Sequence, residues 1–190
     1  MTKNNLFKQA FRFKESSCTV ISDKEECIET AKTSIKHNRK LLENYIKKHP
    51  NFLYSLEPID AHNGPEVVQR MSKVSLKTNV GPMAAVAGVL ADLAVENMVN
   101  IGCKVAVVEN GGEVSAISNQ PIDIAFVAGD ESLSREMGFR LKKFPAGVAT
   151  SSGRFSHAFS FGDAEAVTIF AVDAALADAC LLYTSDAADD

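Results

Sequence analysis

Apolar and polar positions alternate through FKQAFRFKESSCTVISD, residues 7–23, and the alternation breaks at Glu15-Ser16-Ser17. That pattern predicts two strands joined as a hairpin. The period then lengthens. Ile28, Ala31, Ile35, Leu42 and Tyr45 recur at helical spacing, with Asp23 as N-cap and Pro50 just past the end, which predicts a helix to about Lys48. A short extended piece, FLYSLEPI, follows. Two more helices are expected: GPEVVQRMSKVSLKT, started by Pro65 at its first position, and VGPMAAVAGVLADLAVENMVNIG over residues 80–102. Ala84, Ala87, Gly88, Ala91 and Ala94 keep one side of the second helix thin. Gly88 costs about 1 kcal/mol of helix propensity and lets a sheet or a ligand approach closely.

From Lys104 the texture turns to short strands: KVAVVENGGEVSAI, IDIAFVAGD, FPAGVATSSG and EAVTIFAV. Gly, Asn, Asp and Pro separate them, and most gaps are too short for crossover helices, so antiparallel pairing and an α+β fold are expected. No short internal repeat occurs, though the broad order of hairpin, helices and further strands leaves room for a duplication.

Composition narrows the function classes. The 190 residues suffice for one medium domain or two small halves sharing a core. A net charge of −4 argues against nucleic acid as a partner. The basic face of the first helix, with Lys32, Lys36, Arg39, Lys40 and Lys47, carries no interleaved aromatics and reads as solvated. The N-terminus lacks a signal-peptide core, and no apolar run is read as long enough to span a bilayer, so no membrane partner is expected. Cys18, Cys27, Cys103 and Cys180 form no CxxC pair, which predicts reduced cysteines in a cytoplasmic protein without a zinc site.

Three stretches could carry chemistry. In VVENGGEV, Asn110-Gly111 is a hairpin signal, but the turn alone does not account for Glu109 and Glu113 flanking paired glycines. Bare backbone at Gly111 and Gly112 can also admit a ligand. In GVATSSGRFSHAFSFGDAE, the hydroxyls of Thr150, Ser151 and Ser152 surround Gly153, Arg154 and His157, a composition suited to an anion as well as to a plain polar loop. The acids Asp163, Glu165, Asp173 and Asp178 could offer oxygen ligands to magnesium. Asp173 and Asp178 lie five apart on the last helix and do not share a face. Asp173 suits an N-cap, leaving Asp178 as the better metal candidate. No P-loop or G-x-G-x-x-G stretch is present.

Taken in order, VGPMAAVAGVLAD, VVENGGEV and AGVATSSGRFSHAFSFGDAEAVTI…ALADA resemble the ApbE superfamily. The match is good over residues 80–180 and looser before them, and it is closer to a little-characterised branch sharing the Gly-Pro-Met-Ala and Glu-Asn-Gly-Gly motifs. Characterised members are FAD:protein FMN transferases, which split FAD with magnesium and attach FMN to a Thr or Ser of a target protein. The resemblance implies a two-layer α+β architecture of the T-fold type. It also implies FAD and Mg2+ as ligands, with an acceptor protein as partner; a homo-oligomer stays open. By position it implies that Gly81, Asn110, Gly111, Gly112, Glu113, Thr150, Ser151 and Ser152 bind the nucleotide, that His157 is catalytic, and that Asp178 holds magnesium.

The transferases' lysine at the helix entry, their Asp-Pro after the histidine and their metal-binding threonine are absent, the last replaced by Leu182. The same pocket would alternatively serve a non-catalytic module for a nucleotide or another anionic metabolite. Residues 1–180 are expected to form a single domain, C-terminally incomplete. LLYTSDAADD reads as a foreign or disordered tail, so the missing threonine weighs less than the missing lysine.

Overall fold

In the computed structural model, residues 6–125, 138–151 and 167–184 are described. The N-terminal alternation becomes strands β1 (Phe7–Phe13) and β2 (Ser16–Ser22), a hairpin with Phe7 opposite Ser22. Helix α1 (Glu25–Lys48) follows, then a single turn α2 (Asn51–Tyr54), α3 (Glu66–Thr78), a 3-10 turn over Pro82–Ala85 and α4 (Val86–Asn100). Strands β3 (Val105–Asn110), β4 (Glu113–Ser118), β5 (Ile122–Ala125), β6 (Gly138–Leu141), β7 (Ala146–Ser151) and β8 (Val167–Ala171) lead to a last helix, α5 (Ala174–Thr184).

Six strands form one sheet in the order β1-β2-β3-β4-β7-β8, every neighbouring pair antiparallel. Strands β5 and β6 pair separately as a ribbon. Side chains alternate across a strand, so each face of the sheet builds its own core. Cys18, Val20, Ala106 and Val108 meet Ile28, Ala31 and Ile35 of α1 and Ala91, Ala94, Val95 and Met98 of α4. On the opposite face Val105, Val107, Val114, Ala116 and Val148 pack with Ile122 and Leu141 of the ribbon. The architecture is the mainly antiparallel α+β arrangement that the strand spacing predicts.

Local expectations are corrected in five places. Asp23 does not cap α1; its Oδ1 accepts the amides of Lys104 and Val105, each at 3.1 Å, and so ties the start of β3 to the end of β2. Part of the piece expected to be extended closes into α2, whose Phe52 is buried among Leu42, Val67 and Met71. Pro65 stands one residue before α3. Cys27 and Cys103, 76 residues apart, are joined as a disulfide, which replaces the expectation of four reduced thiols and removes the cysteine argument for a reducing compartment. Finally, Pro82–Asn100 is by length and composition apolar enough to cross a bilayer, although most of it is buried inside the fold. There it serves as the core helix between α1, α5 and the sheet.

Candidate functional site

The site is built where α4 starts, α5 passes and the β3–β4 hairpin turns. Helix α4 follows a 3-10 turn through Ala85, whose ψ of 10° departs from helical geometry. The first amides of a helix have no partner within it. Two of them, on Ala87 and Gly88, are taken by Asp178 of α5, the Gly88 amide donating to Oδ2 at 2.9 Å. The glycine is required for this approach. A β-carbon at Gly88 would lie 2.7 Å from the Ala175 Cα and closer still to the Ala174 carbonyl.

The hairpin turn braces the same point from the sheet side. Asn110 donates to the Ala87 carbonyl at 3.1 Å and accepts the Cys18 thiol at 3.3 Å, so both ends of its carboxamide are bound within the protein at 3% exposure. Gly111 and Gly112 have φ of +75° and +118°, in the region that favours glycine. The Gly111 amide donates to Ser17 O at 3.0 Å, and the Gly112 amide to Glu109 Oε1 at 3.1 Å. Glu113 opposes Asn110 across the hairpin and is 8% exposed.

Glu113 and Asp178 thus come from distant parts of the chain to one place. Burial, followed by the Asp178 charge and that of Glu109, pushes the Glu113 carboxyl well above the ordinary range. Burial also raises Asp178, against the amides of Gly88 and Ala87 and with Asp92 adding to the rise. Asp178 nonetheless keeps part of its surface open to solvent. A buried carboxyl beside a partly open one offers hard oxygen donors, and magnesium takes one or two such groups beside substrate phosphates. The donor chemistry fits that ion, although among the described residues no group of three or more metal-ligating side chains gathers.

Other expected residues are placed differently. Register aligns Val148 with Val114 and Thr150 with Thr168, so alternation puts the Thr150 side chain on the ribbon face, opposite Glu113. There its hydroxyl lies 3.2 Å from that of Thr168. Its carbonyl faces Gly112, where a β-carbon would sit 3.1 Å away. Ser151 ends β7 on the strand next to Gly112. Gly81 is buried against the Ser55 carbonyl, leaving no room for a β-carbon, and this contact accounts for the glycine. Ser152, Arg154, His157, Asp163 and Glu165 lie outside the described residues. Asp173 is the N-cap of α5, accepting the Leu176 amide at 2.7 Å, and α5 continues past Asp178 to Thr184.

Asp92 escaped the sequence reading altogether. It is 8% exposed on α4 and accepts the amides of Ala174 and Ala175 at 3.0 and 2.9 Å, with the Ser115 hydroxyl as a further donor. Its signal was a single acid inside the apolar run Val-Leu-Ala-Asp-Leu-Ala. A separate cleft of about 600 Å3 is lined by Tyr45, His49, Phe52, Asp60, His62 and Asn63 and contains none of the motif residues.

Comparison with known proteins bears on the family and the fold. The UPF0280 protein of Methanothermobacter thermautotrophicus is 42% identical over 152 residues, 80% of this chain and 59% of that protein, so the chain spans under two thirds of that relative's length. The UPF0280 protein of Methanococcoides burtonii is 39% identical over 183 residues, 95% of this chain and 77% of its own length. Among solved structures, the apo flavinyl transferase ApbE of Pseudomonas stutzeri superposes with a TM-score of 0.64 at 15% identity, over 96% of this chain and 85% of that one. The flavin transferase ApbE of Vibrio cholerae gives 0.61 at 11% identity, over 94% and 85%. These two likenesses show a shared fold. The model of the family described as AbpE bacteria matches residues 5–188, and the chain belongs to that family, within the ApbE superfamily.

Proposed function

We propose that the chain binds a flavin nucleotide at the junction of α4, α5 and the β3–β4 turn and, with magnesium, transfers FMN from FAD to a protein hydroxyl. The observation that carries this reading is the meeting of Glu113 and Asp178 beside bare backbone at Gly111–Gly112, both carboxyls held above their ordinary range. Asp178, with Glu113 beside it, would hold the ion, and the glycine turn and the end of β7 would border the nucleotide. Magnesium, when bound, supplies charge neutralisation to a pyrophosphate. In the transfer the acceptor oxygen bonds to the FMN phosphorus, the bond to the AMP oxygen breaks, AMP leaves and the hydroxyl proton passes to a base. Family membership and the fold shared with two ApbE transferases support the assignment.

A second reading, a binding module without transfer, is favoured by one observation: Asp178 already caps the start of α4. The absence of a lysine at that helix entry points the same way. Titration with FAD, with and without magnesium, separates the two by flavin fluorescence and AMP release. Transfer predicts magnesium-dependent AMP that Asp178→Ala abolishes. Binding without AMP leaves the module, and no flavin binding removes both flavin readings.

A further inference from the structure

The sequence GVLADLA, residues 88–94, and the sequence AALADAC, residues 174–180, share Leu-Ala-Asp in the same place. Each begins at a helix start, and each aspartate lies four residues beyond a small residue: Gly88 and Asp92, Ala174 and Asp178. Four residues are about 6 Å along a helix and lie on one face. The two helices pass each other at these small residues, the Ala174 carbonyl and the Ala175 Cα resting on Gly88. Asp92 accepts the amides of Ala174 and Ala175 at 3.0 and 2.9 Å; Asp178 accepts those of Gly88, at 2.9 Å, and Ala87. Each helix therefore caps the other's start with its own carboxylate.

The two halves differ in what the sheet offers them. Ser115 and Glu113 are two apart on β4 and share its helix-facing side. Ser115 donates its hydroxyl to Asp92, which with two amides gives that carboxylate three donors in a buried setting. Asp178 lies beside Glu113 where Asp92 meets a hydroxyl, so its half holds a second carboxyl in place of a donor and keeps an open side. One half is a closed structural cap and the other is left to attract a cation.

We propose that Asp92 is the positioning residue for Asp178: by fixing the start of α5 one turn away, it sets where the Asp178 carboxylate stands against Gly88 and Glu113. The inference rests on the proposed ion site for its functional consequence and on the reciprocal caps alone for its structure. Removing Asp92 frees the first two α5 amides, and the shift is carried along one rigid turn to Asp178. Partners of a metal ligand of this kind typically alter affinity 10- to 100-fold.

The test measures Mn2+ binding by electron paramagnetic resonance, and hydrogen exchange at the amides of Ala87, Gly88, Ala174 and Ala175. The proteins are wild type, Asp92→Ala, Asp92→Asn and, as a destabilised control in the same helix, Met98→Ala. In Asp92→Ala, exchange is expected to accelerate at Ala87 and Gly88 as well as at Ala174 and Ala175, and Mn2+ affinity to fall about tenfold or more. Asp92→Asn keeps one acceptor oxygen and should lose a few-fold, and it decides the matter if the alanine variant does not fold. Met98→Ala should keep wild-type affinity. Wild-type affinity together with wild-type protection at Ala87 and Gly88 in a folded Asp92 variant overturns the inference. If wild type itself binds no Mn2+, the ion reading fails separately, and exchange at Ala87 and Gly88 in the Asp92 variants still decides the positioning.

Discussion

Glu113 and Asp178 are held above the ordinary carboxylate range, Glu113 by burial and its neighbours' charges, Asp178 by burial first. Asp92 is raised as well, again by burial. An acid whose folded pKa is raised favours the folded state below its unfolded pKa of about 4 and loses that contribution as pH rises toward the folded value. Metal-free protein should therefore lose stability as pH climbs from about 4 through neutrality. Urea unfolding across this range checks the slope. Glu113→Gln, which removes one of the raised carboxyls, should flatten it and raise stability at the alkaline end. A metal-free wild type that gains stability with rising pH would contradict the account at this scale. The cysteines give a second prediction. Burial pushes the Cys18 thiol up to about 12, and Cys180 is half-buried. With a thiol reagent near neutral pH, Cys180 should react in the native protein while Cys18 stays inert.

At the scale of elements, the close crossing of α4 and α5 depends on glycine at position 88, and that of β7 and α5 on glycine at 147, where a β-carbon would strike the backbone of Asp173. Gly88→Ala and Gly147→Ala should each destabilise by about 1–3 kcal/mol, the usual cost of overpacking, measured as a lower denaturation midpoint. Gly88→Ala should additionally weaken any ligand that uses Asp178. The elements themselves were largely legible, because α1, α3 and α4 and most of the strands have enough length for their period to show. Strand β6, with only Gly-Phe-Arg-Leu, did not. Helix α2 was missed because its single turn is stabilised by burying Phe52 against α1 and α3, a tertiary contact that local pattern does not encode. Asp23 has the composition of a cap, but the amides of Lys104 and Val105, 81 and 82 residues away, donate to it instead. The same distance hid Asp92. Its acid was visible in the sequence, but its partners on α5 were not.

For the whole molecule, sequence motifs reached the superfamily and the α+β class, and the structure adds which motifs meet. The glycine turn and Asp178 converge, while the Thr150 hydroxyl turns to the other face of the sheet. The Cys27–Cys103 bond closes a 76-residue separation between α1 and the approach to β3. Denatured without reductant, the protein should expose two of its four thiols, on Cys18 and Cys180, and four after reduction. A loop of this length corresponds to at most about 4–5 kcal/mol from chain entropy, so reduction should lower the unfolding midpoint without changing the fold. Four free thiols in the unreduced protein would contradict the bond. The proposal at the centre of this reading is a divalent-cation site where α4, α5 and the β3–β4 turn meet. Substoichiometric Mn2+ added to isotope-labelled protein tests it most directly, by paramagnetic broadening of backbone amide signals. The account predicts selective loss of the signals of Ala87, Gly88, Gly112, Glu113 and Asp178, abolished in Asp178→Asn. Broadening centred on Tyr45, His49 and His62, or left unchanged by Asp178→Asn, would contradict it.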